Sequence, residues 1–240
     1  MDDSRPHPFA TQFQLLAWCS PAYPTGAFSY SHGMEWAVER GTVSSLSELL
    51  DFITAVLERG GGWVDAVLFA HAWRAARQPA GISQRSARAQ LRDIAELAAA
   101  FRGTAETALE SRQQGAAFLD VTLKAWPHPR LFEFADDLRG QPIAQSIAVA
   151  VTCAAHGIEL SAALHAFVQV IAANLVSAGA RLIPLGQTDA QIAVARLAPV
   201  VGAVAAYALS VDLDELGTAA PMLELYSMRH ESQYTRLFRS

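Results

Sequence analysis

Apolar residues return at helical spacing along nearly the whole chain. The clearest run is Leu160, Leu164, Phe167, Val168, Ile171 and Leu175, whose offsets of 0, 4, 7, 8, 11 and 15 place them on one face, with Ser161, His165 and Gln169 as a polar stripe beside them. A second helix opens at Ser45-Leu46-Ser47-Glu48, a capping box whose hydroxyl and carboxylate can satisfy orphan amides, and buries Leu46, Leu49, Leu50, Ile53 and Leu57. Gly60, Gly61 and Gly62 end it, and Val64, Val67, Leu68, His71 and Ala75 resume the spacing on a new segment. Further helices are predicted near residues 31–40, 84–101, 104–124, 141–156, 188–209 and 220–238. Alternating β-branched runs bounded by turn residues are absent, so no strand competes. The pattern predicts an all-α, single-domain helical bundle of about ten helices. Breaks at Gln78-Pro79-Ala80-Gly81, Trp126-Pro127-His128-Pro129 and Pro184-Leu185-Gly186 are too short for interdomain linkers. The expected organisation is a flexible tail at 1–8, an all-α domain at 9–225 and a C-terminal partner-binding segment at 226–240.

Composition narrows the chemistry. Of 240 residues, 52% are hydrophobic and 17% charged, which excludes a disordered chain. The net charge of −5 gives no general pull toward phosphate backbones, so nucleic acid is not expected as a partner. Cys19 and Cys153 are too few for a disulfide framework, and the first residues lack the pattern of a secretory signal, so a cytoplasmic location is expected. The apolar run Leu197 to Leu209 is shorter than the roughly 18 to 20 residues a bilayer span needs, and a buried helix is expected instead of a membrane segment.

Catalytic motifs are missing. Lys124 is the only lysine and lies in no phosphate-binding loop, which excludes a P-loop NTPase. None of the twelve Glu residues has a His three positions later, and His230-Glu231 lacks the second histidine of a zinc protease helix. Ser29 and Ser31 sit near glycines but not in a nucleophile elbow. Cys153 and His156, at i and i+3, could offer two ligands to a soft metal, although a buried cysteine beside a helix-ending histidine is the simpler account of the pair. His71, on an apolar face, is expected to be a hydrogen-bonded core or contact histidine.

The two ends stand out. Ser20 to Gly33 packs Pro21, Pro24, Gly26, Gly33 and the rings of Tyr23, Phe28 and Tyr30 into one turn region ahead of Glu35 and Trp36. It reads either as a structural corner, with Ser31 capping the next helix, or as a surface presenting its rings. Residues 225–240 mix Arg229, Arg236 and Arg239 with Tyr226, Tyr234, Leu237 and Phe238, types enriched at interface hot spots. If helical, Tyr234, Leu237 and Phe238 share a face. Such a segment is expected to dock, on its own domain or on an external partner.

Both ends resemble the UreF family of urease accessory proteins. The N-terminal pattern is similar in Ser20-Pro21, Pro24, Gly26, Phe28-Ser29-Tyr30-Ser31, Gly33 and Glu35-Trp36. The C-terminal pattern is similar in Arg229-His230-Glu231, Gln233-Tyr234 and Arg236-Leu237-Phe238-Arg239-Ser240. Ser177-Ala178-Gly179, Arg181-Leu182 and Pro184 to Gln187 also look like a family segment, as does Glu110 to Gln113 with Gly115 more loosely. Ala27 stands where the family commonly has glycine, and His32 where it commonly has glutamine. The resemblance implies an all-α, non-enzymatic nickel-insertion chaperone. It would bridge UreD (UreH in some systems) and the GTPase UreG on apo-urease, form a homodimer, bind no stable cofactor and leave nickel to the assembled complex. Its partner-binding residues would be Pro24, Gly26, Phe28, Tyr30, Ser31 and Glu35, with Tyr226, Ser227, Arg229, His230, Glu231, Gln233, Tyr234, Arg236, Leu237, Phe238, Arg239 and Ser240. A generic helical scaffold and a helical cofactor-binding enzyme are the alternatives.

Overall fold

The computed structural model describes residues 8–77 and 84–240. The described residues form eleven α-helices and no strand: α1 (Pro8–Trp18), α2 (Met34–Glu39), α3 (Leu46–Arg59), α4 (Gly61–Ala76), α5 (Gln84–Ala100), α6 (Ala105–Ala125), α7 (Pro129–Asp137), α8 (Gln145–Ala155), α9 (Leu160–Leu182), α10 (Gln187–Ala208) and α11 (Pro221–His230). The all-α bundle read from the pattern is therefore present. The expected tail at 1–8, apart from Pro8, and the break at 78–81 lie outside the described residues.

Two helices make the centre. On α4, residues from Gly62 to Ala76 are buried on every side, and α8 is buried from Ser146 through Ala155. A helix apolar all round has to be surrounded, and α3, α5, α9 and α10 pack against α4 while α6, α7 and α9 cover α8. Phe69 of α4 stacks on Phe167 of α9 at 5.0 Å. Gly115 lets α6 approach the chain entering α8, since a Cβ there would lie 2.1 Å from the Ile143 carbonyl oxygen. Helices α9 and α10 are long and apolar enough to cross a membrane, longer than the run Leu197 to Leu209 suggests, but here they pack along each other and against α3 and α4.

The helix ends follow local chemistry. Ser45 caps α3 by accepting the Glu48 amide at 3.3 Å, and the Glu48 carboxylate answers by accepting the Ser44 amide at 2.8 Å. Those bonds from Ser44 and Ser45 hold the Glu48 carboxyl below its usual range. Helices α1 and α7 were not foreseen. The outer apolar residues of α1, Phe9, Phe13 and Leu16, are exposed, so it has no amphipathic contrast to read. For α7 the signals were present: His128 as N-cap, Pro129 at the first turn, and Leu131, Phe134 and Leu138 buried at spacing 0, 3 and 7.

Three expectations at the chain ends change. The helix predicted over 220–238 stops at His230: the next three amides close short turns onto Ser227, Arg229 and His230, and those of Leu237 and Phe238 go to the Glu35 carboxylate. Tyr234, Leu237 and Phe238 accordingly do not share a face. From Leu237 to Ser240 the exposure alternates as in an extended chain, with Phe238 and Ser240 inward. Ser31 is not the N-cap residue of α2, which is Gly33 at φ 75°, but its hydroxyl still accepts the Glu35 amide of the first turn at 3.4 Å while donating to Ser240 O. At the departures from the family pattern, Ala27 opens a short 3-10 turn without positive φ, whereas His32 takes φ 54°.

Candidate docking site where the two ends meet

The tail folds back onto the N-terminal corner and the start of α6. Glu35, in the first turn of α2, is the hub. Its Oε1 accepts the Leu237 amide at 2.6 Å, and its Oε2 accepts the Phe238 amide at 2.8 Å and faces His230 Nε2 at 3.1 Å. The other nitrogen of His230 faces Glu106 Oε2 at 2.7 Å, and Glu106 Oε1 accepts from Arg236 at 2.8 Å. His230 has no exposed surface. A carboxylate oxygen thus stands opposite each ring nitrogen, and the ring ties α11 to α2 and α6 at once.

A second set of bonds fixes the last residue. The Ser240 carbonyl oxygen accepts from the Ser31 amide at 2.7 Å and from the Ser31 hydroxyl at 2.5 Å, while the Arg239 amide donates to Ser29 O at 2.8 Å. The Ser240 hydroxyl donates to Glu110 Oε2 at 2.8 Å. Glu110, one turn after Glu106 on the same face of α6, also pairs through Oε1 with His32 at 3.0 Å and accepts from Gln114 at 2.9 Å. Burial opposes charge on His32, but the Glu110 charge and hydrogen bond outweigh it and raise its pKa. Tyr30 donates to Gln113 at 2.5 Å. Burial, helped by the Glu110 charge, raises the Tyr30 pKa.

Packing completes the junction. The Phe238 ring lies inside, with the Arg181 guanidinium of α9 over it at 4.4 Å. Burying such a ring stabilises by roughly 1.5–3 kcal/mol, and the cation above it adds about 0.5–1 kcal/mol. Gly33 is required twice over. Its φ of +75° suits glycine, and a Cβ there would stand 2.5 Å from the Ser227 amide nitrogen of α11.

The four sequence segments that carry the family resemblance thus converge on Glu35, Glu110, Arg181 and the tail. The UreF family model matches residues 43–198. Over 231 residues the chain is 49% identical to the urease accessory protein UreF of Rhodopseudomonas palustris strain TIE-1, covering 96% of this chain and 93% of that relative.

The chain belongs to the UreF family of urease accessory proteins.

Similarity to the UreF proteins of Granulibacter bethesdensis, at 47%, and Bradyrhizobium diazoefficiens, at 44%, also extends over 96% of this chain and over 94% and 92% of those relatives.

The structure sorts the candidate residues of the family pattern into two groups. Tyr30, Ser31, Glu35, Ser227, His230, Gln233, Phe238 and Ser240 are buried and build the junction. Tyr226 is half-buried and stacks on Phe52 at 6.4 Å. Pro24, Phe28, Arg229, Glu231, Tyr234, Arg236, Leu237 and Arg239 face outward, and Gly26, at φ 75°, makes the turn before Phe28. Of the two docking modes open to the tail, the one on its own domain is present for Phe238, which packs under Arg181, and for Arg236, which pairs with Glu106. Glu106 and His32 were missed. An i, i+4 pair of glutamates on α6 was the available signal, but nothing in a single sequence links it to the tail.

Cys153 and His156 lie apart from this site. Cys153 is fully buried, which pushes its thiol well above the usual range, and His156 Nδ1 faces Gln14 Nε2 at 3.1 Å with Trp18 edge-on at 5.2 Å. Among the described residues no three His, Cys, Asp or Glu side chains gather to hold a metal ion. His71 pairs with the Val211 carbonyl at 2.8 Å, as a core histidine would.

Proposed function

We propose that this urease accessory protein acts as a non-enzymatic nickel-insertion chaperone that bridges UreD (or UreH) and the GTPase UreG on apo-urease. The observation that carries this reading is the outer surface of the clamped C-terminal segment. Met222, Leu225 and Met228 on α11, with Tyr234 and Leu237 on the tail, are large apolar side chains left exposed, and Tyr234 is fully so. Arg229, Arg236 and Arg239 stand among them. Aromatic and aliphatic anchors mixed with arginine are the composition of a binding hot spot, and an apolar patch without an occupant marks an interaction surface. A tail held by Glu35, His230 and Glu110 presents those anchors in one conformation, so less ordering is needed on binding.

In this reading the tail from Tyr226 to Ser240 meets UreD, and nickel is cargo of the assembled complex, with no stable cofactor on this chain. GTP hydrolysis belongs to UreG. A homodimer is supported by the outward face of α10, where Ala195, Ala198, Pro199, Ala203, Ala206 and Tyr207 are exposed around Arg196. The setting is cytoplasmic, with neither membrane nor nucleic acid as partner. The test is co-purification from a urease-producing cell. Tagged wild-type chain should recover UreD and UreG together, and a strain carrying Tyr234→Asp with Leu237→Asp should lose urease activation. Normal activation by that variant would refute the reading. A chromophore on the pure protein would favour a cofactor enzyme, and recovery of unrelated partners alone would favour a generic scaffold.

A further inference from the structure

Three carboxylates, those of Glu35, Glu106 and Glu110, lie buried where the tail docks. A buried carboxylate is costly unless a counter-charge answers it. Glu106 is answered by Arg236, while Glu35 takes two tail amides and faces His230. Glu110 has three hydrogen-bond partners, His32, Gln114 and Ser240, and of these only His32 can carry a positive charge. Arg102 also bears on Glu110, but its guanidinium is held bidentate by Asp65 at 3.0 and 2.5 Å. The remaining tail arginine, Arg239, acts on Tyr30.

His32 stands between the two residues that meet the C-terminal segment. Ser31 gives both its amide and its hydroxyl to Ser240 O, and Gly33 packs on the Ser227 backbone. The His32 backbone is itself left-handed at φ 54°, and its ring is anchored by Nε2 on Glu110 at 3.0 Å. Its side chain is 26% exposed and lines a cavity of about 380 Å³ beneath α11, so water and protons reach it. The charged groups that act on it are Glu110 of α6, Asp65 of α4, Arg102 of the loop between α5 and α6, and Glu224 of α11. Asp65 and Arg102 cancel as a pair, so the remaining field is negative and favours the protonated ring, in line with its raised pKa.

We propose that His32 and Glu110 form a proton-operated latch for the C-terminal tail. With the ring protonated, the Glu110 carboxylate is balanced while Ser240 covers it. With the ring neutral, Nε2–H still donates to Glu110, but the carboxylate beneath the tail has no counter-charge, and opening the tail lets water solvate it. Docking is therefore strongest below about pH 6.5, the ordinary value of histidine, and loosens as pH rises through the higher value that His32 has in the docked chain. The latch is a property of this chain and holds whatever the outer face of the tail binds.

The test is hydrogen–deuterium exchange of the isolated full chain from about pH 6 to about pH 8.5, with intrinsic exchange rates divided out. Over that range the protection of the Phe238 and Arg239 amides should fall about threefold to tenfold in the wild type, the loss expected when a partly buried ion pair becomes an ion facing a neutral donor. In His32→Gln, which installs the residue the family commonly carries here, the same amides should change by less than about twofold. His32→Asn should match it, and since asparagine accepts left-handed backbone, agreement of the two variants separates the charge from backbone strain. Amides in the middle of α8 should respond alike in all three chains. Wild-type tail protection that does not fall, an equal fall in both variants, or a fall of the same size in α8 would each overturn the proposal.

Discussion

Replacing Glu35 by Gln removes the charge that three donors share, and its consequence can be worked from the geometry. The carboxylate accepts the Leu237 and Phe238 amides at 2.6 and 2.8 Å and faces the buried His230 ring at 3.1 Å. Glutamine keeps one acceptor oxygen but turns its NH2 toward a donor, so at least one buried N–H loses its partner. Hydrogen bonds to charged groups contribute about 1.5–3 kcal/mol, and breaking a buried charge pair by changing one member costs up to about 3–5 kcal/mol. Relaxation of an extended tail, exposed at every second residue from Leu237 onward, absorbs part of that. A loss of about 2–3 kcal/mol in the free energy of opening the tail is expected, equivalent to roughly 30- to 150-fold. Hydrogen–deuterium exchange reads it directly. In the variant the amides of Leu237, Phe238 and Arg239 should exchange faster by that factor, and Ser31, whose amide donates to Ser240 O, should follow. Amides in the middle of α4 and α8 should keep their protection, and the helical circular dichroism should not change. Unchanged exchange at Leu237 and Phe238 would refute Glu35 as the hub. Loss of protection throughout the bundle would show that the junction is not a separable unit.

Gly33→Ala should lower stability by about 2–4 kcal/mol, because the new Cβ meets the Ser227 backbone and the backbone there is left-handed; chemical denaturation against Gly26→Ala, with open space and only the φ term, separates the two causes. The pKa of His32 is raised in the folded chain, so its pairing with Glu110 contributes stability in full below the unfolded value near 6.5, and this is lost as pH rises through the folded value. His32→Gln should therefore flatten the decline in melting temperature as pH rises above about 6.5, with Asp65 and Arg102 as the other charged groups acting on the ring; an unaltered pH profile would contradict this. Phe238→Ala should cost about 3–5 kcal/mol if the tail stays docked over the cavity it leaves, less if it detaches, and limited proteolysis at Arg239 and Arg236 tells the two apart.

The bundle was largely legible because its long helices declare themselves. The spacing from Leu160 to Leu175 continues in the structure as α9, and the serine-glutamate box places the start of α3. What failed was periodicity near the ends. Tyr234, Leu237 and Phe238 have helical spacing, but a carboxylate two hundred residues earlier offers their backbone better partners than the preceding turn does, so the helix stops. Helix α1 escaped notice because Phe9, Phe13 and Leu16 stay exposed beside the inward Leu15 and Trp18, which blurs its pattern, and α7 because a nine-residue helix shows its pattern only twice. For the site, residue type was informative and pairing was not. Arginines, aromatics and turn glycines marked both ends as special, yet nothing in the sequence states that Ser31 bonds Ser240 or that Glu106 and Glu110 lie beneath the tail. Buried polar pairs between distant segments leave no local period, and only the fold brings them together.

In the proposed function a self-docked tail presents Tyr234 and Leu237 as anchors for another protein. The most direct measurement is the affinity of UreD for the full chain and for the Tyr234→Ala, Leu237→Ala variant, by calorimetric titration. Both side chains point to solvent, so the variant should melt within about 2 °C of the parent and keep tail protection in exchange. Its affinity should fall by about 30-fold or more, the loss of at least one hot spot. Equal affinities with the fold intact would rule out Tyr234 and Leu237 as the anchors.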